Sequence, residues 1–365
     1  MRIVLWGYYG TNYGDNIMMD TIVKFLISND VKITLVDLFK GNLKEMYKDE
    51  PRIEVVEFYR LGKVKKLMAL RNFAKAELNL WGGGTIFTDE DGDGNYSFFS
   101  LVKLFGGKIG YIGVGIGNLT KQERVKRTRY LLNASSFLVF RDSTSLSRAK
   151  AISDKNTYHL AEDLSYLFFE TVAKDTEQPA HPEPYMLITW RNLKRYVPAE
   201  REQSSMKAVV ACAKHDLDNN IIQKVVLSPM DTRHDIESCQ MLMKLLDEES
   251  IPYAYDDSTD FDYMTKLIKH ATIHYSGRLH GSVASEYFGI NTVAMCYSPK
   301  MEYFYQSIKA DNYINITEEG VTPDALMKKV GRNSISFDEK IASSYNNITY
   351  FDNFLKQKII GGQAI

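Results

Sequence analysis

Cysteine is scarce in this chain: Cys212, Cys239 and Cys296 are the only three in 365 residues, far apart and odd in number. That excludes a disulfide framework and any CxxC metal site, and it fits a reducing compartment. An excess of either charge is missing too, with 45 Lys and Arg against 46 Asp and Glu. So balanced a chain offers no electrostatic footprint for nucleic acid. No apolar run approaches the roughly 20 residues that would span a bilayer. Met1–Trp6 already reads as a strand, so no signal peptide is expected before the fold. A soluble cytoplasmic protein is the expectation. Prolines are few, nine in all, yet three of them fall within Gln178–Pro184. Apolar residues are plentiful at 44%, enough for a large core shared between two domains.

Short apolar strands alternate with helical stretches along the chain. Arg2–Trp6, Lys32–Asp37, Ile53–Glu57, Leu78–Trp81, Lys108–Ile112, Phe137–Phe140 and Asn156–Leu160 read as strands of a first half. Helices at Thr21–Ser28, Leu61–Ala74, Lys121–Leu132 and Ser143–Ser153 lie between them. A second set has strands Tyr185–Thr189, Lys224–Ser228, Tyr253–Tyr255, Thr272–Tyr275 and Thr292–Cys296. Its helices are Ala199–Leu217, Ser238–Glu248, Asp262–His270 and Gly281–Phe288. This alternation predicts an α/β fold of two Rossmann-like lobes, each built on a parallel sheet, facing a cleft. The predicted division is 1–177 for the first lobe, 178–184 for a proline-rich linker and 185–335 for the second lobe. A helix over 336–360 is expected to return to the first lobe, ahead of a frayed tail at 361–365.

The stretch Ala271–Lys300, ATIHYSGRLHGSVASEYFGINTVAMCYSPK, is the most informative. Ile273-His274-Tyr275 reads as a strand and Ser276-Gly277 as a turn, and Arg278-Leu279-His280 leads into a helix at Gly281. Such strand-to-helix loops lie at the carboxyl ends of an open α/β sheet, where ligands bind. A permanent cation, an imidazole that titrates near neutral pH and the N–H groups of a new helix together suit an anionic ligand. Arg191, just past Tyr185–Thr189, sits on the same rim, as either an ordinary surface arginine or the second half of an oxyanion clamp.

Glycine marks two strand ends of the first half. Gly7-Tyr8-Tyr9-Gly10-Thr11-Asn12-Tyr13-Gly14-Asp15 precedes a helix beginning near Asn16. It is not GxGxxG and no acidic partner marks a ribose, so NAD binding is rejected. Its glycines admit a ligand close to the backbone; the plainer alternative is a tight turn capped by Asp15. Gly82-Gly83-Gly84 likewise offers either access or packing. Asp89-Glu90-Asp91-Gly92-Asp93-Gly94 starts like a calcium loop, but Ser100 stands where a bidentate Glu is required, and a solvated acidic loop is expected. Arg141-Asp142-Ser143 and Glu162-Asp163 close two strands, with helix capping the expected role of Asp142. His159, His181, His215, His234, His270 and His274 lack zinc spacing and are assigned to structure. Finally, Arg60–Lys75 carries six basic residues, with Leu61, Val64, Leu67, Met68 and Leu70 opposite. It is either an ordinary surface helix or a basic, apolar-edged face whose Lys63, Lys65, Lys66 and Arg71 meet anionic lipid or a lipid-linked diphosphate.

The order of Gly10-Thr11-Asn12-Tyr13-Gly14-Asp15, Gly82-Gly83-Gly84, Arg141-Asp142-x-x-Ser145, Asp163, Arg191, Ser276-x-Arg278-Leu279-His280, Gly289 and Tyr297-x-x-Lys300 resembles the polysaccharide pyruvyl transferase family. The resemblance runs from the first strand to about residue 305. Thr189-Trp190-Arg191-Asn192 shares little beyond its arginine, and the Asp89–Asp93 insert lies outside the pattern. The resemblance implies a two-lobed fold like that of the GT-B glycosyltransferases. It also implies transfer of pyruvate from phosphoenolpyruvate to a sugar of a polysaccharide repeat-unit precursor, commonly as a cyclic ketal. On that reading His280 and Arg278 are catalytic, and Arg191, Arg278, Ser276 and Gly281 hold phosphoenolpyruvate. Gly10, Asn12, Gly14, Asp15, Gly83, Gly84 and Thr85 receive the acceptor. Asp15, Asp142 and Asp163 are candidates for base or support. No metal and no cofactor are called for, phosphoenolpyruvate being a co-substrate. A lipid-linked oligosaccharide acceptor would bring the protein reversibly to the inner face of the cell membrane. Two rivals remain: a GT-B glycosyltransferase using a nucleotide sugar, and a non-catalytic carbohydrate-binding relative that keeps the fold.

Overall fold

Along β1 (Arg2–Trp6), Ile3 and Leu5 enter one hydrophobic cluster while Val4 and Trp6 enter another. A strand alternates its side chains between faces, and one apolar on both sides belongs inside a sheet covered twice. The computed structural model describes residues 1–89, 92–155, 157–174, 178–318 and 321–362. Two units emerge, one of Met1–Gly10, Asp15–Thr171 and Asp338–Ile365, the other of Thr11–Gly14 and Val172–Phe337.

The first unit contains β1, β2 (Lys32–Val36), β3 (Ile53–Val56), β4 (Leu78–Gly82), β5 (Thr85–Phe87), β6 (Ile109–Ile116), β7 (Phe137–Phe140) and β8 (His159–Leu160). They pair in parallel in the order β3-β2-β1-β4-β6-β7-β8, with β5 added beside β6. Its helices are α1 (Tyr13–Ser28), α2 (Leu43–Met46), α3 (Lys63–Phe73), α4 (Tyr96–Leu104), α5 (Gln122–Ala134), α6 (Ser143–Ile152) and α7 (Ser165–Val172). The second unit contains β9 (Tyr185–Thr189), β10 (Lys224–Leu227), β11 (Tyr253–Tyr255), β12 (Ile273–Ser276), β13 (Asn291–Cys296) and β14 (Tyr313–Asn315), parallel in the order β11-β10-β9-β12-β13-β14. Between them run α8 (Ala199–Asp218), α9 (Ile236–Glu248), α10 (Phe261–Lys269), α11 (Leu279–Phe288), α12 (Pro299–Ser307) and α13 (Pro323–Lys329). The last helix, α14 (Asp338–Gly362), packs on β6, β7 and β8, and its Phe351 and Leu355 join the cluster of Ile3 and Leu5.

Several boundaries depart from the sequence expectation. α1 begins at Tyr13 rather than near Asn16, so Asp15 lies inside its first turn instead of capping it. α11 begins at Leu279 rather than Gly281, which puts His280 on the helix and makes Arg278 its N-cap. Helix continues through Gly362, where a tail was expected from Gly361. Of the expected strand Asn156–Leu160, His159–Leu160 forms β8 and Asn156 lies outside the described residues. Short elements such as β5, β14 and α7 escaped the periodicity because each spans at most eight residues.

The acidic loop also differs. Glu90 and Asp91 lie outside the described residues, but Asp89 is buried rather than solvated. Its carboxylate accepts from the Thr120 hydroxyl at 2.6 Å and from the N–H groups of Thr120 at 2.8 Å and Lys121 at 3.0 Å. Burial pushes its pKa up, yet these donors and Lys121 outweigh burial and hold it below the ordinary value. Asp89 therefore organises the entry to α5.

Candidate active site

A doubly wound sheet opens a crevice where its strand order reverses, outside the carboxyl ends of the strands. In the second unit that point lies between β9 and β12, and the residues leaving those strands include Arg191 and Arg278. The two exits are held together by the turn itself. Gly277 N–H donates to the Thr189 carbonyl at 2.6 Å, and a Cβ at Gly277 would come within 2.7 Å of that oxygen.

Arg191 is gripped by two tyrosines. Its Nη1 donates to the Tyr297 hydroxyl and its Nη2 to the Tyr196 hydroxyl, each at 3.0 Å. The guanidinium also lies over both rings, 4.7 Å from the Tyr297 centroid and 5.3 Å from that of Tyr196. Lys300 Nζ is 6.0 Å from the Tyr297 ring. Burial alone would push the Tyr297 phenol up, but Lys300, Arg191 and Arg278 together bring its pKa below the ordinary value. A lowered pKa in a buried phenol fits surroundings that favour negative charge.

Arg278 is less available than its sequence position suggested. It is 8% exposed, with Nε donating to Asp235 Oδ2 at 2.9 Å and Nη2 donating to Asp235 Oδ1. Asp231 Oδ2 stands 3.8 Å from the same Nη2. Burial lowers the guanidinium pKa, but Asp235, Tyr297 and Asp231 more than reverse this and raise it. Burial raises Asp231 as well, yet Arg278, Arg233 and His234 win and hold it below the ordinary carboxylate range. Sequence reasoning missed Asp231 and Asp235. Their one local signal is the polar run Ser228-Pro229-Met230-Asp231-Thr232-Arg233-His234-Asp235, which follows β10 and ends at the N-cap of α9.

The loop between β1 and α1 contributes to this cluster. Thr11–Gly14 counts with the second unit, and Asn12 forms an antiparallel bridge with Asp231. Tyr13 N–H donates to the Met230 carbonyl at 2.8 Å and Thr232 N–H to the Thr11 carbonyl at 3.0 Å. Gly14 lies against His280, and a Cβ there would fall 1.8 Å from Nδ1. Gly14 thus stands beside His280, and Asn12 pairs with Asp231, which lies 3.8 Å from Arg278. Ser276 is fully buried and donates to the Arg278 carbonyl at 3.1 Å while accepting from Ser282 at 3.0 Å, so its hydroxyl holds the loop. Gly281 admits Met230, whose Sδ would be 2.8 Å from an added Cβ.

The first unit has its own reversal point, between β1 and β4, marked by glycine rather than charge. Tyr9, 1% exposed, fills the space over Gly7 and Gly82 and donates to the Gly82 carbonyl at 3.1 Å. Gly83 (φ +69°) accommodates Met18, whose Sδ would be 2.6 Å from a Cβ. Gly10 (φ +85°) crosses the backbone of Gly41. These glycines serve close packing of the protein on itself. Polar groups remain at its edge. Asp15 Oδ1 approaches Gly84, and Thr85 accepts from Arg141 Nη2 at 2.5 Å. Arg141 Nη1 donates to Asp163 at 2.8 Å. Asp142 caps α6 through the Ser145 N–H at 2.6 Å. Among the described residues no group of three His, Cys, Asp or Glu side chains could hold a metal ion.

With this geometry in place, known proteins bear on it. The family model for polysaccharide pyruvyl transferase matches residues 12–299. This chain belongs to that family. The matched region includes Asn12, Arg191, Arg278, His280 and Tyr297. No protein of curated function matches the chain by sequence. Solved structures with a similar fold include UDP-GlcNAc 2-epimerase from Neisseria meningitidis, bound to UDP-GlcNAc, with a TM-score of 0.65 and 10% identity over 98% of this chain and 100% of that one. The enzyme of the same name from Methanocaldococcus jannaschii has a TM-score of 0.61 and 11% identity over 97% and 100%. UDP-N-acetylglucosamine 2-epimerase from Rickettsia bellii has 0.61 and 10% over 99% and 96%. At such identity the likeness speaks for the fold alone, which is α/β with parallel sheets and GT-B-like.

Proposed function

We propose that this pyruvyl transferase family member moves pyruvate from phosphoenolpyruvate to a sugar of a polysaccharide precursor and closes a cyclic ketal on it. The hydrogen bond of Arg191 Nη1 to the buried Tyr297 phenol, with Lys300 Nζ 6.0 Å from the same ring, carries this reading. Phosphoenolpyruvate has a carboxylate and a phosphate, and a guanidinium that trades two phenol contacts for an oxyanion gains a stronger, charge-assisted pair. Arg278, with Nε and Nη2 tied to Asp235, keeps Nη1 outside that pair and adds its charge to the field. The start of α11 supplies N–H groups that a helix itself leaves without acceptors. His280, in that first turn, is the group we assign to protonate C3 of the enol. C2 then becomes an oxocarbenium-like centre. One sugar hydroxyl adds there and yields its proton to a base, the C2–O bond to phosphate breaks, and a second hydroxyl adds at C2 and gives its proton to the departing phosphate, closing the ketal. We assign sugar recognition to Asp15, Gly84 and Thr85 of the first unit.

Incubation with phosphoenolpyruvate and a panel of soluble and lipid-linked saccharides tests this, read by phosphate release and saccharide mass. Phosphate release matched by pyruvate addition is expected. Consumption of a nucleotide sugar without phosphoenolpyruvate would replace the reading with glycosyl transfer. Saccharide binding with neither donor consumed would leave a non-catalytic relative.

A further inference from the structure

α3 is apolar on two sides. Its Leu70 and Phe73 are buried, 1% and 2% exposed, and anchor it to the first unit. Val64, Leu67 and Met68 were grouped with Leu70 by the sequence pattern, but they face outward at 74%, 48% and 66% exposure. Their i, i+3, i+4 spacing makes them one ridge rather than scattered residues. Lys63 and Lys65 flank that ridge, and Arg71 continues its exposed face one turn on. Lys66 is half-buried and lies 5.2 Å over the Phe58 ring, outside the ridge. From Phe58 to Lys75 six residues are basic and none is acidic.

An exposed apolar ridge is costly in water and marks a surface that meets something else. Here the charges identify the partner. Lysines beside an apolar ridge can lay their methylene stems along it and hold their ammonium groups at a more polar depth. An anionic bilayer offers that layering of hydrocarbon below and phosphate above, with no demand for a complementary protein shape. We propose that α3 is an interfacial anchor on an anionic membrane, with Val64, Leu67 and Met68 entering the acyl boundary and Lys63, Lys65 and Arg71 at the phosphates. No helix among the described residues is long and apolar enough to cross the membrane; the contact proposed for α3 is peripheral and reversible. It is independent of the reaction proposed above.

Flotation with phosphatidylcholine vesicles, with and without phosphatidylglycerol, tests the anchor on the full chain. The protein should float only with the anionic vesicles and be released by salt, because the attraction fades over a Debye length of about 10 Å at about 0.1 M salt. Each basic residue near such a surface is worth about fivefold in partitioning, so Lys63→Glu with Lys65→Glu should lower binding by at least roughly 25-fold. Val64→Ser, Leu67→Ser and Met68→Ser together should abolish flotation at low salt although every basic residue is kept. All variants alter exposed side chains, and an unchanged thermal melt confirms their fold. Failure of the wild type to float, or equal flotation of all three proteins, would overturn the anchor. So would a dimer in light scattering that the triple serine variant dissolves, since the ridge would then belong to a second copy of the chain.

Discussion

The two sheets reverse their strand order in the same way, yet the two reversal points are furnished differently. Between β9 and β12 the chain sets Arg191 and Arg278, with Asp231 and Asp235 holding the second arginine. Between β1 and β4 it sets glycines and fills the space from within by Tyr9 and Met18. Topology thus offers a crevice twice, and only the side chains decide which one is equipped for an anion. Glycine at a strand end reads alike in sequence whether it admits a ligand or the protein's own tyrosine. Charge is less ambiguous, because buried charge is expensive and must be matched.

The largest expected effect falls on the charged side. His280→Gln should lower kcat by about 10²–10⁴-fold with donor binding kept, whereas Gly83→Ala should leave kcat as it is. Equal losses in steady-state kinetics would erase the contrast between the two crevices. Next comes Arg278→Ala, which strands a fully buried Asp235 and should cost about 3–5 kcal/mol in urea unfolding. Adding Asp235→Asn should recover part of that cost. No loss in the single variant would mean that Arg278 is held for ligand alone.

A third expectation concerns acid. His274 is fully buried between the Thr189 and Ser285 hydroxyls, and burial lowers its pKa from 6.5 to about 3. The unfolded chain takes up this proton below the ordinary pKa while the folded one does not. The contribution is therefore full above pH 6.5 and is lost progressively as pH falls toward the folded value of about 3. At about 1.4 kcal/mol per pH unit, roughly 2 kcal/mol should go by about pH 5. His274→Gln should flatten that slope in denaturation curves, and an unchanged slope would place the acid sensitivity elsewhere. Gly83→Ala, a smaller change, should cost about 1–3 kcal/mol through Met18 without altering acceptor KM. A raised acceptor KM with full stability would return that glycine to the substrate. Smallest is the split between Asn12 and Asp15, three residues apart but in different units. Asn12→Ala should raise donor KM and Asp15→Asn acceptor KM, each by about threefold to tenfold, the worth of one hydrogen bond. The reverse pattern would exchange the roles of the units.

Strands such as β1, β7, β9 and β11 were legible because each is a short apolar run bounded by polar turns. Arg278 and His280 were legible because a strand, a Ser-Gly turn and a helix follow one another within Ile273–Phe288. What stayed hidden is contact across sequence. The Asp235 partner of Arg278 is 43 positions away, and the Tyr297 partner of Arg191 is 106 away. Tyr297 was visible as part of a motif, but nothing local says that its phenol meets Arg191. α3 misled for the opposite reason: its periodicity does place apolar residues on faces, but a helix with two such faces gives no sign of which is packed.

The four-residue visit of Thr11–Gly14 to the second unit also bears on recombination. Unit one is written in three pieces and unit two in two, so neither is a cassette with a single pair of joints. A chimera that took 172–337 from a relative would inherit His280 from one parent and the glycine beneath it from the other. Any side chain at that position would crowd the imidazole, since even a methyl reaches 1.8 Å from Nδ1. Successful shuffling of this protein therefore has to keep glycine at position 14, whichever parent supplies the block it touches.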